Sequence, residues 1–147
     1  MIEDEELRSL YQTTCQDRLR ILADGLLVSE APGEERLETL RRESHSLKGD
    51  SRVVDLEGIA AIARQLELLT KSLQQQTLDW DLLPADCLVQ TLQALEHLVE
   101  SATTGLAVEV DAQQVSDRLQ QAIAEATTDP PEPTADSTPE PAADSTP

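Results

Sequence analysis

Apolar residues, of which leucine is the commonest, recur at intervals of three and four residues along most of this chain. This spacing matches one face of an α-helix, whereas a half-buried strand would alternate apolar and polar residues. Leucine accounts for 23 of the 147 residues, and phenylalanine is absent. Interruptions in the pattern divide it into five segments. The predicted helices span residues 3–28, 34–51, 56–75, 85–103 and 111–126.

Short connections between consecutive amphipathic helices favour antiparallel neighbours. The predicted fold is therefore all-α: an antiparallel, up-down four-helix bundle with an additional C-terminal helix. Asp55 is predicted to cap the start of the third helix, and Pro84 is predicted to occupy the first turn of the fourth.

The composition changes abruptly at Pro130. The sequence EPTADSTP (132–139) is followed at once by EPAADSTP (140–147), a repeat that differs at one position. Proline opposes helix formation, and these residues offer nothing that could bury a core. Residues 1–127 are therefore predicted to form one helical domain, and residues 128–147 a disordered linker rich in Pro, Ala, Asp, Ser and Thr. Because the chain stops on a repeat boundary, we expect it to be the N-terminal piece of a longer protein.

The chain is strongly acidic, with a net charge of -18 from 29 acidic and 11 basic residues. Nucleic-acid binding requires clustered basic residues, so no nucleic-acid partner is predicted. No segment is apolar enough to span a bilayer, and the acidic start MIEDEEL is unlike a signal peptide, so we expect a cytoplasmic location without membrane insertion. Cys15 and Cys87 are predicted to be buried small side chains rather than a disulfide or a metal site.

His45 lies in the second predicted helix, roughly 120° around the helix axis from its apolar stripe. It is therefore predicted to face outward. Arg41, Lys48 and Arg52 share its side of the helix, and five of the eleven basic residues fall within residues 36–52. Local positive charge around an exposed imidazole suits a phosphoryl group.

Gly49 follows His45 by one helical turn, where glycine costs roughly 1 kcal/mol relative to alanine. Its missing side chain would leave room for another protein's active site to close over the imidazole. The competing interpretation is that His45 is an ordinary exposed histidine. No metal site is predicted, because no second His or Cys lies three or four residues from His45. His97 has acidic neighbours and is interpreted as a surface histidine.

The sequence HSLKGDSRVVDLEGIAAIARQLELL (45–69) resembles the signature of histidine phosphotransfer (Hpt) domains. It is most similar to the N-terminal phosphoacceptor domain of chemotaxis-type (CheA-like) histidine kinases. This resemblance implies that His45 accepts a phosphoryl group from ATP on a kinase catalytic domain and passes it to an aspartate of a response-regulator receiver domain. It also implies that Lys48 lies beside the phosphoryl group, that Gly49 keeps the surface open and that Glu67 bonds the imidazole.

Two positions depart from the family pattern. Arg64 stands where chemotaxis-type domains often carry a second histidine, and it could pair with Glu67 or neutralise bound phosphate. The sequence VVDLEG (53–58) replaces the usual glycine-containing turn, and Asp55 there favours a capped helix start.

The implied function is that of a phosphocarrier module in a two-component system. The sequence has no glycine-rich nucleotide loop, so ATP and Mg²⁺ are expected on the partner domains, and no cofactor is expected in this chain. Whether the chain is itself part of an enzyme, as the phosphoacceptor segment of a histidine protein kinase, stays open. The alternatives are a non-catalytic helical adaptor in which His45 is incidental, and a metal-binding helical enzyme, which is disfavoured because the ligands it needs are not clustered.

Overall fold

The apolar spacing of the sequence is realised as five α-helices in a computed structural model that describes residues 1–128. The helices are α1 (Glu5–Leu26), α2 (Glu34–Val53), α3 (Glu57–Gln74), α4 (Ala85–Thr104) and α5 (Ala112–Ala126). A 3-10 turn precedes α4, and within residues 1–128 no strand forms beyond one isolated bridge between Leu78 and Thr127. The prediction of an all-helical fold with five helices is confirmed, and each predicted end lies within two residues of the observed one. Apart from Thr128, the predicted linker lies outside the described residues.

The helices pack around a leucine-rich core. α1 contacts α2 and α4, while α3 contacts α2, α4 and α5, and α5 also contacts α4. Each helix contributes a fully buried leucine to this core, namely Leu22, Leu40, Leu66, Leu95 and Leu119. Within the described part of the chain, no helix combines the length and the apolar character that crossing a bilayer requires.

Aspartate side chains cap two of the helices. Asp4 Oδ1 accepts a hydrogen bond from the Leu7 amide at 2.9 Å, and Asp111 Oδ1 accepts hydrogen bonds from two amides in the first turn of α5. These contacts satisfy amides that have no partner within the helix. Pro84 occupies the N-cap position of α4 rather than its first turn, so the prediction for Pro84 is wrong by one residue.

The turn between α2 and α3 differs from the sequence prediction. The Leu56 amide donates to the Ser51 carbonyl at 2.8 Å, and the Asp55 amide donates to the Arg52 carbonyl at 3.1 Å. This Schellman arrangement requires a left-handed residue, and Asp55 supplies it with a φ of 61°. The prediction that Asp55 caps α3 is therefore wrong, because aspartate tolerates the left-handed conformation and is used here to end α2.

Polar side chains fix α2 against α1. The Tyr11 hydroxyl hydrogen bonds to the Ser51 hydroxyl at 2.8 Å in a buried position. Arg18 donates to Glu43 at 2.9 Å and to Asp50 at 3.2 Å. These contacts hold α2 in place along the stretch that carries His45.

Both cysteines are buried and free, as predicted. Burial raises the pKa of Cys15 to about 11, and burial also raises the pKa of Cys87. Both thiols are therefore protonated near neutral pH, and they act as small apolar side chains.

Candidate functional site

His45 lies near the middle of α2 with 62% of its side chain exposed. The residues on the core side of the same helix, Ser44 and Leu47, are fully buried. The prediction that His45 faces outward is therefore confirmed. Its Nδ1 atom lies 2.9 Å from Oε2 of Glu67 on α3.

Glu67 links His45 to Lys48. Its second oxygen, Oε1, accepts a hydrogen bond from Lys48 Nζ at 2.6 Å, and its side chain is only 12% exposed. Burial raises the pKa of the Glu67 carboxyl, but the hydrogen bonds from Lys48 and His45 outweigh burial and leave this pKa below its ordinary value. Glu67 is therefore ionised at neutral pH and accepts hydrogen bonds through both oxygens.

This contact assigns the two ring nitrogens of His45 different roles. Nδ1 faces an ionised carboxylate, so the neutral imidazole carries its hydrogen there and donates it to Glu67. The lone pair of the neutral ring is then on Nε2, at the exposed side of the residue. The arrangement provides a nucleophilic nitrogen on the protein surface with its ring orientation fixed from below.

Lys48 and Gly49 occupy the turn that follows His45. The side chain of Lys48 is 17% exposed, and its ammonium is bound to Glu67. Gly49 is exposed, and a Cβ atom added to it would meet no other atom within 4 Å. No contact within the domain therefore requires glycine at this position, and the space beside His45 is open to an approaching molecule.

The Arg41 side chain is committed to a neighbour on its own helix. Arg41 donates to both oxygens of Glu38, and Gln74 on α3 also donates to Glu38 at 2.9 Å. The hydrogen bonds from Arg41 and Gln74 lower the pKa of Glu38 to about 2. Arg41 therefore lies on the same side of α2 as His45, but its charge is paired with Glu38. The three-residue spacing of Glu38 and Arg41 could have revealed this pair, but the contribution of Gln74 depends on how α2 packs against α3.

Arg52 and Arg64 are both exposed, and within residues 1–128 neither forms an ion pair. Both Glu67 oxygens are occupied by α2 side chains, so the pairing of Arg64 with Glu67 is not made. Arg64 lies one turn before Glu67 on α3, so its guanidinium extends from the same side of that helix.

The second histidine has a different environment. His97 is exposed on α4, near Glu96 and Glu100, in an open groove of about 640 Å³ between α1 and α4. Among residues 1–128, no three His, Cys, Asp or Glu side chains lie close enough together to hold a metal ion.

Comparison with known proteins bears on the same residues. No curated protein and no solved structure matches the chain. The sequence model of the Hpt domain matches residues 6–129, a range that includes His45, Glu67 and all five helices except Glu5, the first residue of α1. The match covers most of the chain, and the chain therefore belongs to the Hpt domain family.

Proposed function

We propose that His45 is the phosphoacceptor of a phosphocarrier module, taking a phosphoryl group from ATP on a histidine kinase catalytic domain and passing it to an aspartate of a response-regulator receiver. Hpt domains are phosphotransfer modules of two-component signalling, and they generally interact with histidine kinases and response regulators. The observation that carries the proposal for His45 is its exposed imidazole, whose Nδ1 lies 2.9 Å from the Glu67 carboxylate.

In the proposed reaction, the Nε2 lone pair attacks the γ-phosphorus of ATP, the bond from that phosphorus to the bridging oxygen breaks, and ADP leaves. The hydrogen stays on Nδ1 and remains hydrogen-bonded to the Glu67 carboxylate, which stabilises the positive charge that develops on the ring. In the second transfer, a carboxylate oxygen of the receiver attacks the phosphorus and the bond to Nε2 breaks. ATP and Mg²⁺ are supplied by the partner domains.

The other site residues orient the imidazole of His45 and leave space for a partner protein to reach it. Lys48 neutralises Glu67 and holds it against the ring, which makes Lys48 a positioning residue. Gly49 leaves the approach to His45 open. Arg52 and Arg64 add positive charge near the acceptor. The chemotaxis-type assignment is supported by an acid 22 residues after the histidine, as the resemblance implies.

The predicted architecture completes this proposal. The contacts of α1 with α2 and α4, and of α3 with α2 and α4, support an antiparallel four-helix bundle with α5 packed across α3 and α4. Such a bundle would hold His45 rigidly and away from the core. We place the module in the cytoplasm, where ATP is available to the kinase domain.

The proposal is tested by incubating the 147-residue chain with a chemotaxis-type kinase catalytic domain and ATP labelled on the γ-phosphate. We expect wild type to acquire acid-labile label, and His45→Gln to reduce labelling by about 100-fold, because the attacking nitrogen is removed. The matched control is His97→Gln, which removes the other histidine and should label like wild type. If wild type acquires no label, or His45→Gln labels equally, the phosphocarrier proposal fails and the adaptor interpretation takes its place.

A further inference from the structure

The α2 and α3 helices face each other in a constant register. Glu38 is hydrogen-bonded to Gln74, and His45 is hydrogen-bonded to Glu67, both at 2.9 Å. From the first pair to the second, the α2 residue advances by seven positions and the α3 residue recedes by seven. The two helices therefore run antiparallel and side by side over this stretch, as their three-residue connection also requires.

Extending this register places one α3 cation on each side of the His45–Glu67 pair. Lys71 lies four residues after Glu67, at the level of Arg41, and Arg64 lies three residues before it, at the level of Lys48. Spacings of three and four put both cations on the face of α3 that carries Glu67. Both residues are exposed, and neither forms an ion pair within residues 1–128.

The α2 cations at the same levels are already engaged. Lys48 Nζ is held 2.6 Å from Glu67 with the side chain 17% exposed, and Arg41 is bonded to both oxygens of Glu38. Glu67 is the only acid in α3 after Glu57, and Lys48 already neutralises it. Within the described part of the chain, two positive charges without an ion-pair partner therefore flank the acceptor on α3, although the net charge of the chain is -18.

We propose that Arg64 and Lys71 form the phosphoryl-binding pair of the phosphorylated domain. Their side chains bind the phosphoryl group on Nε2 of His45 from opposite sides. This inference rests on the proposed function of His45. A phosphoryl group carries about -1.5 to -2 charges near neutral pH, which two flanking cations match. Long basic side chains donate charge-assisted hydrogen bonds to phosphoryl oxygens. Neither Arg64 nor Lys71 must first break an ion pair with any of residues 1–128 to do so. Lys48 instead acts beneath the ring, through Glu67.

The pair is tested on the full chain phosphorylated by phosphoramidate, a small donor that needs no partner domain. Its P–N bond breaks as the phosphorus bonds to Nε2, and ammonia leaves. The ³¹P signal of the phosphohistidine is then followed against pH. Flanking cations favour the dianion, so in the double variant R64Q/K71Q we expect the phosphoryl pKa to rise by about 0.5. At pH values well above that pKa, we also expect loss of phosphate to become about threefold faster, because a pKa rise of about 0.5 makes the protonated form, whose P–N bond is labile, about three times more abundant.

The matched control is R20Q/R118Q, which removes two arginines from α1 and α5 and should leave the phosphoryl pKa at the wild-type value. A wild-type phosphoryl pKa in R64Q/K71Q would overturn the pair while leaving His45 as the acceptor. A larger rise in K48Q than in R64Q/K71Q would also overturn it, because Lys48 would then be the main phosphoryl ligand. Failure of phosphoramidate to label His45 in wild type would contradict the proposed function itself.

Discussion

At the scale of single residues, Glu67 determines which nitrogen of His45 is free. Its carboxylate is nearly buried, is ionised and is shared between the imidazole and the Lys48 ammonium. A neutral acceptor at this position would bind the ring less strongly, because hydrogen bonds to a charged group are about twice as strong as neutral ones. The lone pair of the neutral ring is therefore placed on Nε2, at the exposed side, by a contact that Nδ1 makes on the protected side of the ring.

A substitution at Gly49 tests whether open space beside His45 is needed for phosphorylation, without changing the imidazole itself. A Cβ atom added there meets nothing within 4 Å, so Gly49→Leu should fold and should stabilise α2 by about 0.5–1 kcal/mol. The leucine should nevertheless slow phosphorylation by a kinase domain about tenfold, because it occupies the approach to His45. Labelling kinetics and urea unfolding measure the two effects.

Phosphoramidate supplies the control for this variant. It is small enough to reach Nε2 past a leucine, so its reaction with Gly49→Leu should proceed at the wild-type rate. Unchanged phosphorylation by the kinase domain would show that the glycine is not needed for access. Equal slowing with both donors would show that the leucine disturbs the imidazole itself.

At the scale of helices, the α2–α3 pair creates the site. A turn built on the left-handed Asp55 returns the chain directly against α2, and the resulting register brings residues 22 positions apart into contact. Among residues 1–128, the carboxylate of Glu67 forms hydrogen bonds only with the α2 side chains His45 and Lys48, so it joins the two helices at the point where His45 lies. Any change that alters this register should therefore affect both stability and phosphotransfer.

The N-termini of α3 and α5 meet at a close helix–helix contact. A Cβ atom added to Gly58 would lie 2.7 Å from the Cβ atom of Ala112, the first residue of α5. Gly58→Ala should therefore push α5 away and destabilise the domain by about 1–3 kcal/mol, as measured by urea unfolding.

Gly49→Ala makes the same chemical change in open space on α2, so it should raise the free energy of unfolding by about 0.5–1 kcal/mol. The two alanine variants should therefore change the free energy of unfolding in opposite directions. A stabilised Gly58→Ala variant would refute the contact between the two helix ends.

For the domain as a whole, more of the helices than of the site could be predicted from the sequence. Local patterns predicted all five helices and the outward direction of His45, because burial on a helix follows residue spacing. They did not predict the left-handed turn at Asp55, since aspartate caps helices more often than it adopts that conformation. They also grouped Arg41 with His45, although Glu38 lies closer to Arg41 along the helix and binds it.

The spacing of apolar residues does not predict which side chains touch across two helices. The role of Glu67 came from family resemblance, because no local rule states which α3 residue will face His45. Lys71 received no role, although it stands four residues after Glu67, because its relevance depends on the same register. The α3 cations Arg64 and Lys71 lie at the levels on either side of His45 only because α3 packs antiparallel against α2.

We propose that Glu67 holds Nδ1 of His45 and leaves Nε2 to accept the phosphoryl group. The most direct measurement is heteronuclear NMR on the ¹⁵N-labelled chain after phosphorylation, correlating ³¹P with the imidazole nitrogens. We expect phosphorus to be bonded to Nε2 of His45 while Nδ1 retains its hydrogen. Phosphorus on Nδ1 of His45, or on His97, would contradict it.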